Sequence, residues 1–298
     1  MPDTLGRIIE KIQGEESCWD GMLEMKLYKD RSSVPELLEY IYDESWLVRM
    51  CVAEKLGEFR DARAIRPLIY LFRDPDRHVQ KKSFLSLAHF GDKALPDLVD
   101  GLNHLDHDFR VMLSERILTF GPSVIPDLVA LMLKQDWVIA NHILYLIWEL
   151  GGEGAEQALV EALQYPLTRK SAIVLLGFLG KSFATPHLIR FFVVPGLKRM
   201  VLFSLSRLSS IQARTFIVDI LKQSSLSLRQ LAERLIVQKG RVYLKPLVLA
   251  LKDPAQDPLI LCRMIEKIGP KPVMPFIREM AQKDDTIRHL TLRLRRSY

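Results

Sequence analysis

Aliphatic residues recur at steps of three and four through most of the chain, as in Ile125-Pro126-Asp127-Leu128-Val129-Ala130-Leu131-Met132-Leu133. That spacing lines one face of an α-helix. A proline opens many of these runs, in the first turn, where it has no hydrogen bond to lose. The prolines stand at Pro35, Pro67, Pro96, Pro126, Pro186, Pro246 and Pro275, at intervals of 32, 29, 30, 60, 60 and 29 residues. Gln157 and Thr215 fill the two skipped slots. The period is therefore about 30 residues, which means stacked supersecondary units and not one globular core.

A second run follows each first one. It opens on an apolar residue and then a polar or basic one: Val48-Arg49, Val79-Gln80, Phe109-Arg110, Ile139-Ala140, Leu197-Lys198, Leu228-Arg229 and Ile287-Arg288, with Thr168-Arg169 in the same register and Asp257-Pro258 breaking it. It closes on Leu56-Gly57, Phe90-Gly91, Phe120-Gly121, Leu150-Gly151, Leu179-Gly180, Lys239-Gly240 and Ile268-Gly269, with Leu208-Ser209 as the exception. Glycine there predicts a left-handed helix cap. Asp, Pro, Asn and Ser gather between the two runs, as in Asp74-Pro75-Asp76, Asp106-His107-Asp108, Ser224-Ser225, Asp253-Pro254 and Asp284-Asp285. These are turn formers and N-caps. Each unit reads as helix A, turn, helix B. No alternating β-branched run competes, so no strand is expected. Residues 1–33 hold one more amphipathic pair, rich in Glu and Lys, which suits the polar N-terminal cap of an array.

The pattern resembles the short HEAT-like repeats, the type first described in phycobilin lyases. Ser45-Trp46-Leu47-Val48-Arg49-Met50-Cys51-Val52-Ala53-Glu54-Lys55-Leu56-Gly57 carries the resemblance most fully. It implies an all-α fold: a right-handed α-solenoid of about nine helix pairs over residues 34–298, one continuous domain after a helical cap at residues 1–33. For function it implies little, because such repeats serve unrelated roles. In this repeat type the base of helix B looks structural, pairing with an Asp of the preceding turn: Arg49 with Asp43, Arg110 with Asp106 and Asp108, Arg288 with Asp284 and Asp285.

Signatures of chemistry are sparse. Some proteins with such repeats are enzymes, and deoxyhypusine hydroxylases among them bind two irons through His-Glu pairs, but no His of this chain is followed by Glu. His104, Asp106, His107 and Asp108 share one turn, yet nothing orients them as metal ligands. Gly151-Gly152-Glu153-Gly154 lacks the frame of a dinucleotide-binding loop. Asn141, His142, Tyr145 and Glu149 fall at helical spacing and could be drawn as an acid–base site. Asp136, Trp137 and Trp148 invite comparison with alkylbase DNA glycosylases, which also use such a solenoid, but the rest of that pattern is absent. No cofactor or metal is expected. Cys18, Cys51 and Cys262 are odd in number and far apart, which fits reduced, structural thiols. No apolar run is long enough to span a bilayer, and Met1–Arg7 lacks signal-peptide features. A cytoplasmic, non-catalytic protein is the expectation.

Charge distribution is more telling than the net value of +6. Residues 1–164 hold 18 Lys/Arg and 28 Asp/Glu, whereas residues 165–245 hold 14 Lys/Arg and only Asp219 and Glu233. The turns before Arg169, Lys198 and Arg229 offer no carboxylate. Lys170 and Arg199 stand beside two of these bases, and Arg234 lies a turn beyond the third. Stacked helices sit about 8–10 Å apart, so Arg169, Lys170, Lys198, Arg199, Arg229 and Arg234 are expected to form one positive column. Such a column steers anionic partners. An acidic protein or peptide is the favoured partner. Nucleic acid is the alternative, including a glycosylase-like role, and a bilin lyase subunit or self-association of acidic and basic regions comes after that.

Overall fold

The computed structural model describes residues 4–104, 106–222 and 225–269. Expectations for Pro275, Asp284, Asp285, Ile287 and Arg288 lie outside the described residues, as does Ser224. Among the described residues every regular element is helical. The cap is α1 (Thr4–Gln13) and α2 (Cys18–Leu27). Pairs of A and B helices follow: α3 (Val34–Glu39) and α4 (Trp46–Phe59); α5 (Ile65–Tyr70) and α6 (Arg77–Leu87); α7 (Leu95–Gly101) and α8 (His107–Leu118); α9 (Ile125–Met132) and α10 (Trp137–Leu150). Then come α11 (Gly152–Ala162) and α12 (Arg169–Leu179); α13 (Ala184–Arg190) and α14 (Lys198–Arg207); α15 (Ile211–Asp219) and α16 (Leu226–Lys239); α17 (Leu244–Ala250) and α18 (Pro258–Ile268). The chain is thus an all-α array of helix pairs, and it divides into two compact units, Met1–Ala155 and Glu156–Tyr298. Among the described residues no helix is long and apolar enough to cross a membrane.

Prolines sit in the first turn of α3, α7 and α9, which presets the backbone angle at no cost in hydrogen bonds. Three B helices of the first unit are capped by aspartate: Asp76, Asp106 and Asp136 accept N–H groups at the starts of α6, α8 and α10. The closing glycines Gly91, Gly121, Gly151, Gly180, Gly240 and Gly269 are all at positive φ, but only Gly180 is the expected left-handed cap; Gly151, Gly240 and Gly269 cap their helices in other conformations, and Gly91 and Gly121 lie beyond the ends of α6 and α8. Gly57 is a correction. It lies inside α4, and the left-handed cap of that helix is Arg60, at φ 54°.

Gly57 serves packing. A Cβ there would meet the Ser86 Cα of α6 at 2.8 Å. Gly177 of α12 repeats the arrangement in the second unit, where a Cβ would lie 2.7 Å from the Ser204 Cα of α14. Glycine against serine lets adjacent B helices approach until their backbones nearly touch. Around these contacts, Leu56, Val52, Leu87, Leu176, Leu202 and Leu205 are fully buried.

Two cations are buried within the first unit. Lys55 is 2% exposed and donates to the Lys26 carbonyl of α2 at 3.0 Å, while pairing with Glu58 at 2.6 Å. It thereby ties the cap to α4, at the helix end where the dipole favours positive charge. Arg116 lies between the rings of Phe84 and Phe120, at 5.2 and 5.1 Å, and donates to the Phe84 carbonyl. Burial pulls its pKa below the ordinary arginine value. In the second unit, Tyr243 is 1% exposed, and burial pushes its phenol up to about 12. Its hydroxyl has no hydrogen-bond partner among the described residues.

Two substitutions test this packing. Gly177→Ala forces a methyl into the α12–α14 contact and should destabilise the fold by about 1–3 kcal/mol in denaturant unfolding. Tyr243→Phe removes a buried hydroxyl left without a partner and should raise stability by about 1 kcal/mol; a loss of similar size would reveal a hydrogen bond to that hydroxyl.

Candidate functional site

The recurrent base of helix B occupies one helical position. The N–H groups of Arg49, Gln80, Arg110, Arg169 and Arg229 donate to the carbonyls of Ser45, Asp76, Asp106, Tyr165 and Ser225, each four residues earlier. From there the side chain turns back to its own A/B turn. Arg49 Nη1 donates to the carbonyls of Asp43 and Glu44 at 2.7 and 2.9 Å. Gln80 Nε2 donates to the Asp74 carbonyl at 2.6 Å. Arg169 donates to the carbonyls of Leu163 and Gln164 at 2.8 and 3.0 Å. The preceding turn thus offers main-chain oxygens to this position.

The expected Arg49–Asp43 ion pair is therefore corrected. The Asp43 carboxylate accepts from the Ser45 N–H and from Gln13. Arg49 reaches forward and makes a two-point pair with Asp74 of the next unit, Nε to Oδ2 at 2.7 Å and Nη2 to Oδ1 at 2.8 Å. Both side chains are largely buried, at 12% and 3% exposure. The Asp74 carboxylate raises the arginine pKa further. Asp106 likewise does not pair with Arg110: it caps the Phe109 N–H and faces Arg73 Nε at 3.8 Å. No ion pair joins Arg110 to Asp108 among the described residues. The sequence signal for Arg49–Asp74 was present, since Asp74 stands in the next A/B turn, but only stacking shows which turn the guanidinium reaches.

The six basic residues expected to form a column separate into two sets. Arg169, Lys198 and Arg229 are half-buried. The Arg169 guanidinium also lies 5.3 Å from the Phe191 ring, and the Lys198 ammonium 5.6 Å from the Phe192 ring. Lys170, Arg199 and Arg234 are exposed. They lie on α12, α14 and α16, which also carry Phe178, Phe203 and Val237, 55%, 48% and 38% exposed. Arg207 lies over the Phe178 ring at 4.0 Å. Among the B helices of the first unit, α4, α8 and α10 carry exposed Glu58, Glu115 and Glu149, whereas α6 carries exposed Arg77 and Lys81. The exposed face of α12, α14 and α16 is therefore basic with apolar patches.

The other sequence candidates resolve into structural roles. Asp136 Oδ1 accepts the N–H groups of Val138 and Ile139 at 2.8 and 3.0 Å. His142 faces α8, with Nε2 2.8 Å from Ser114 Oγ. Ser114 gives its own proton to the Arg110 carbonyl at 2.8 Å, so the pair is not an activated nucleophile. Burial and the nearby Arg110 lower the His142 pKa. Tyr145 pairs with Glu149 at 2.8 Å on the exposed side. The four groups thus do not converge on one point. His104 Nδ1 lies 3.1 Å from the Asp106 N–H, and no metal-holding group of three or more His, Cys, Asp or Glu occurs among the described residues. Cys51 is buried, which pushes its thiol up to about 11.

Residues 34–118 match the HEAT-repeat family. No curated protein sequence matches the chain. Among solved structures, human deoxyhypusine hydroxylase in complex with glycerol is similar at 16% identity and TM-score 0.34, over 78% of this chain and 94% of that one. An engineered protein is similar at 13% identity and TM-score 0.36, over 99% and 98%. The complex of CpcE and CpcF of phycocyanin lyase from Nostoc sp. PCC7120 is similar at 16% identity and TM-score 0.24, over 90% and 96%. Likeness at this level carries nothing about activity.

The two sets of bases should separate in unfolding experiments. Arg169→Ala releases two carbonyls from a charged donor and should cost about 1–3 kcal/mol. Lys170→Ala, on the exposed face, should stay within about 0.5 kcal/mol of the parent. Equal losses would mean that both bases are structural.

Proposed function

We propose that the chain is a non-catalytic HEAT-repeat scaffold that binds an acidic protein or peptide on the basic outer face of α12, α14 and α16. One observation carries this reading: Lys170, Arg199 and Arg234 are exposed on α12, α14 and α16, B helices that pack one against the next, which also carry exposed Phe203 and Val237. Clustered like charge raises the local potential and speeds encounter with an anionic partner. Apolar side chains among the charges supply the desolvated contact that charge alone lacks. Stacked helix pairs present the extended surfaces such scaffolds use. Arg169, Lys198 and Arg229, expected at the outset to share in binding, support the face from below.

Nucleic acid is the second reading, and an exposed ring favours it. Phe203 is exposed on the helix that carries Arg199, and an exposed ring beside a cation is an arrangement on which unpaired nucleobases can stack. Phosphate contacts would give steep salt dependence. A glycosylase-like or lyase role has no residue set in its support.

The test is fluorescence anisotropy with labelled poly-L-glutamate, random single-stranded DNA and duplex DNA, across a salt series. Poly-L-glutamate should bind, and the triple variant Lys170→Glu, Arg199→Glu, Arg234→Glu should weaken it at least tenfold with a melting temperature within about 3 °C of the parent, as exposed substitutions allow. Tighter binding of single-stranded DNA, lost in the same variant, would replace the acidic partner with nucleic acid. Unfolding of the triple variant would show that the exposed bases are structural.

A further inference from the structure

A groove of about 570 Å³ is lined by Gln230, Glu233, Arg234, Val237 and Gln238 of α16 and by Lys267 of α18. Four of the five polar groups are exposed and Glu233 is half-buried. None of the five side chains forms a hydrogen bond or ion pair with another described residue, whereas some other charges of the same unit do. Lys222 joins Asp219 and Asp253, and Lys181 joins Glu156. Arg207 covers Phe178. The groove therefore gathers side chains whose hydrogen-bonding capacity the described fold leaves unused.

Gln230, Arg234 and Gln238 follow one another every four residues along α16, a step of about 6 Å. An extended peptide repeats its same-side groups every two residues, about 6.8 Å. The two steps stay in register over three positions. A glutamine amide offers both donor and acceptor, which suits a peptide backbone presenting N–H and C=O together. Arg234 of α16 and Lys267 of α18 both line the groove and offer two cations for a carboxylate. Val237 adds an apolar group to the lining. The Glu233 carboxylate is an acceptor for peptide N–H groups, which a DNA backbone lacks.

Resting on the acidic-partner reading above, we propose that this groove is the docking centre for an extended acidic peptide segment of a partner protein. Gln230 and Gln238 hold its backbone. Arg234 and Lys267 clamp one of its carboxylates, and Lys170 and Arg199 on the neighbouring helices contribute only long-range attraction. Lys267 stands outside the stretch of highest positive charge, so charge counting along the chain does not reveal it.

The experiment measures binding of a fluorescein-labelled peptide, Gly-Glu-Val-Glu-Val-Glu-Gly, and of its Gln-for-Glu counterpart. The proteins are the full chain and three double variants, each checked by thermal melting. Arg234→Ala with Lys267→Ala should weaken the acidic peptide more than tenfold. Gln230→Ala with Gln238→Ala, which alters no charge, should weaken it about three- to tenfold. Lys170→Ala with Arg199→Ala should weaken it less than threefold. If the glutamine pair has no effect and the Lys170/Arg199 pair matches the groove pair, attraction is diffuse; the groove assignment then falls while the basic-face reading stands. If neither this peptide nor poly-L-glutamate binds the parent chain, both fall. Binding of a single-stranded oligonucleotide that depends on the groove residues, with no binding of the peptide, would also overturn the assignment.

Discussion

Each short A helix ends with carbonyl groups that have no partner within the helix, and the fold depends on satisfying them. The last carbonyls of any helix are orphaned, and in helices as short as α3, α5 and α7 they form a large share of the backbone. The chain meets this demand from the first turn of the following B helix. Arg49, Gln80 and Arg169 all turn back to main-chain oxygens of the A/B turn. That bond fixes the start of the B helix against the end of its A helix. It also explains why a long donor recurs at this position while the residues of the turn vary.

At Arg49 the same guanidinium joins two units, because its remaining edge is matched by Asp74. Spacing of the B helices is then set by small residues, with Gly57 against Ser86 and Gly177 against Ser204. Bulkier partners would separate the helices and leave the surrounding leucines less well packed. Lys55 fastens the cap by the same chemistry as Arg49, a cation on the carbonyl end of a short helix.

The basic stretch of the second unit now divides by role. Arg169 and Lys198 support the turns and rings beneath them, whereas Lys170, Arg199 and Arg234 face outward. Loss of turn carboxylates in this stretch changes the B-helix starts too. The N-cap residues there, Thr168, Leu197 and Ser225, accept no helix N–H through a side chain, in contrast to Asp76 and Asp136. The unit keeps its fold through backbone carbonyls and apolar burial, and its exposed face carries positive charge with few acids to offset it.

The helix pairs, their order and the glycine stops were legible in the chain, because local periodicity, proline and glycine act through the backbone of their own segment. The exposed basic residues were legible as a group for the same reason: the repeat places equivalent positions on equivalent faces. Partner choice across the stack was not. Arg49 lies as near in sequence to Asp43 as a helical turn allows, yet it pairs with Asp74, since the preceding turn presents oxygens of the main chain and the next unit brings its carboxylate closer. Gly57 reads as a cap, but the helix runs on to Phe59 because contact with Ser86 needs a residue without a side chain inside it. The groove between α16 and α18 joins Arg234 to Lys267 only through stacking. Local backbone preference determined which segments are helices; distances between side chains of different repeats exist only once the helices are packed.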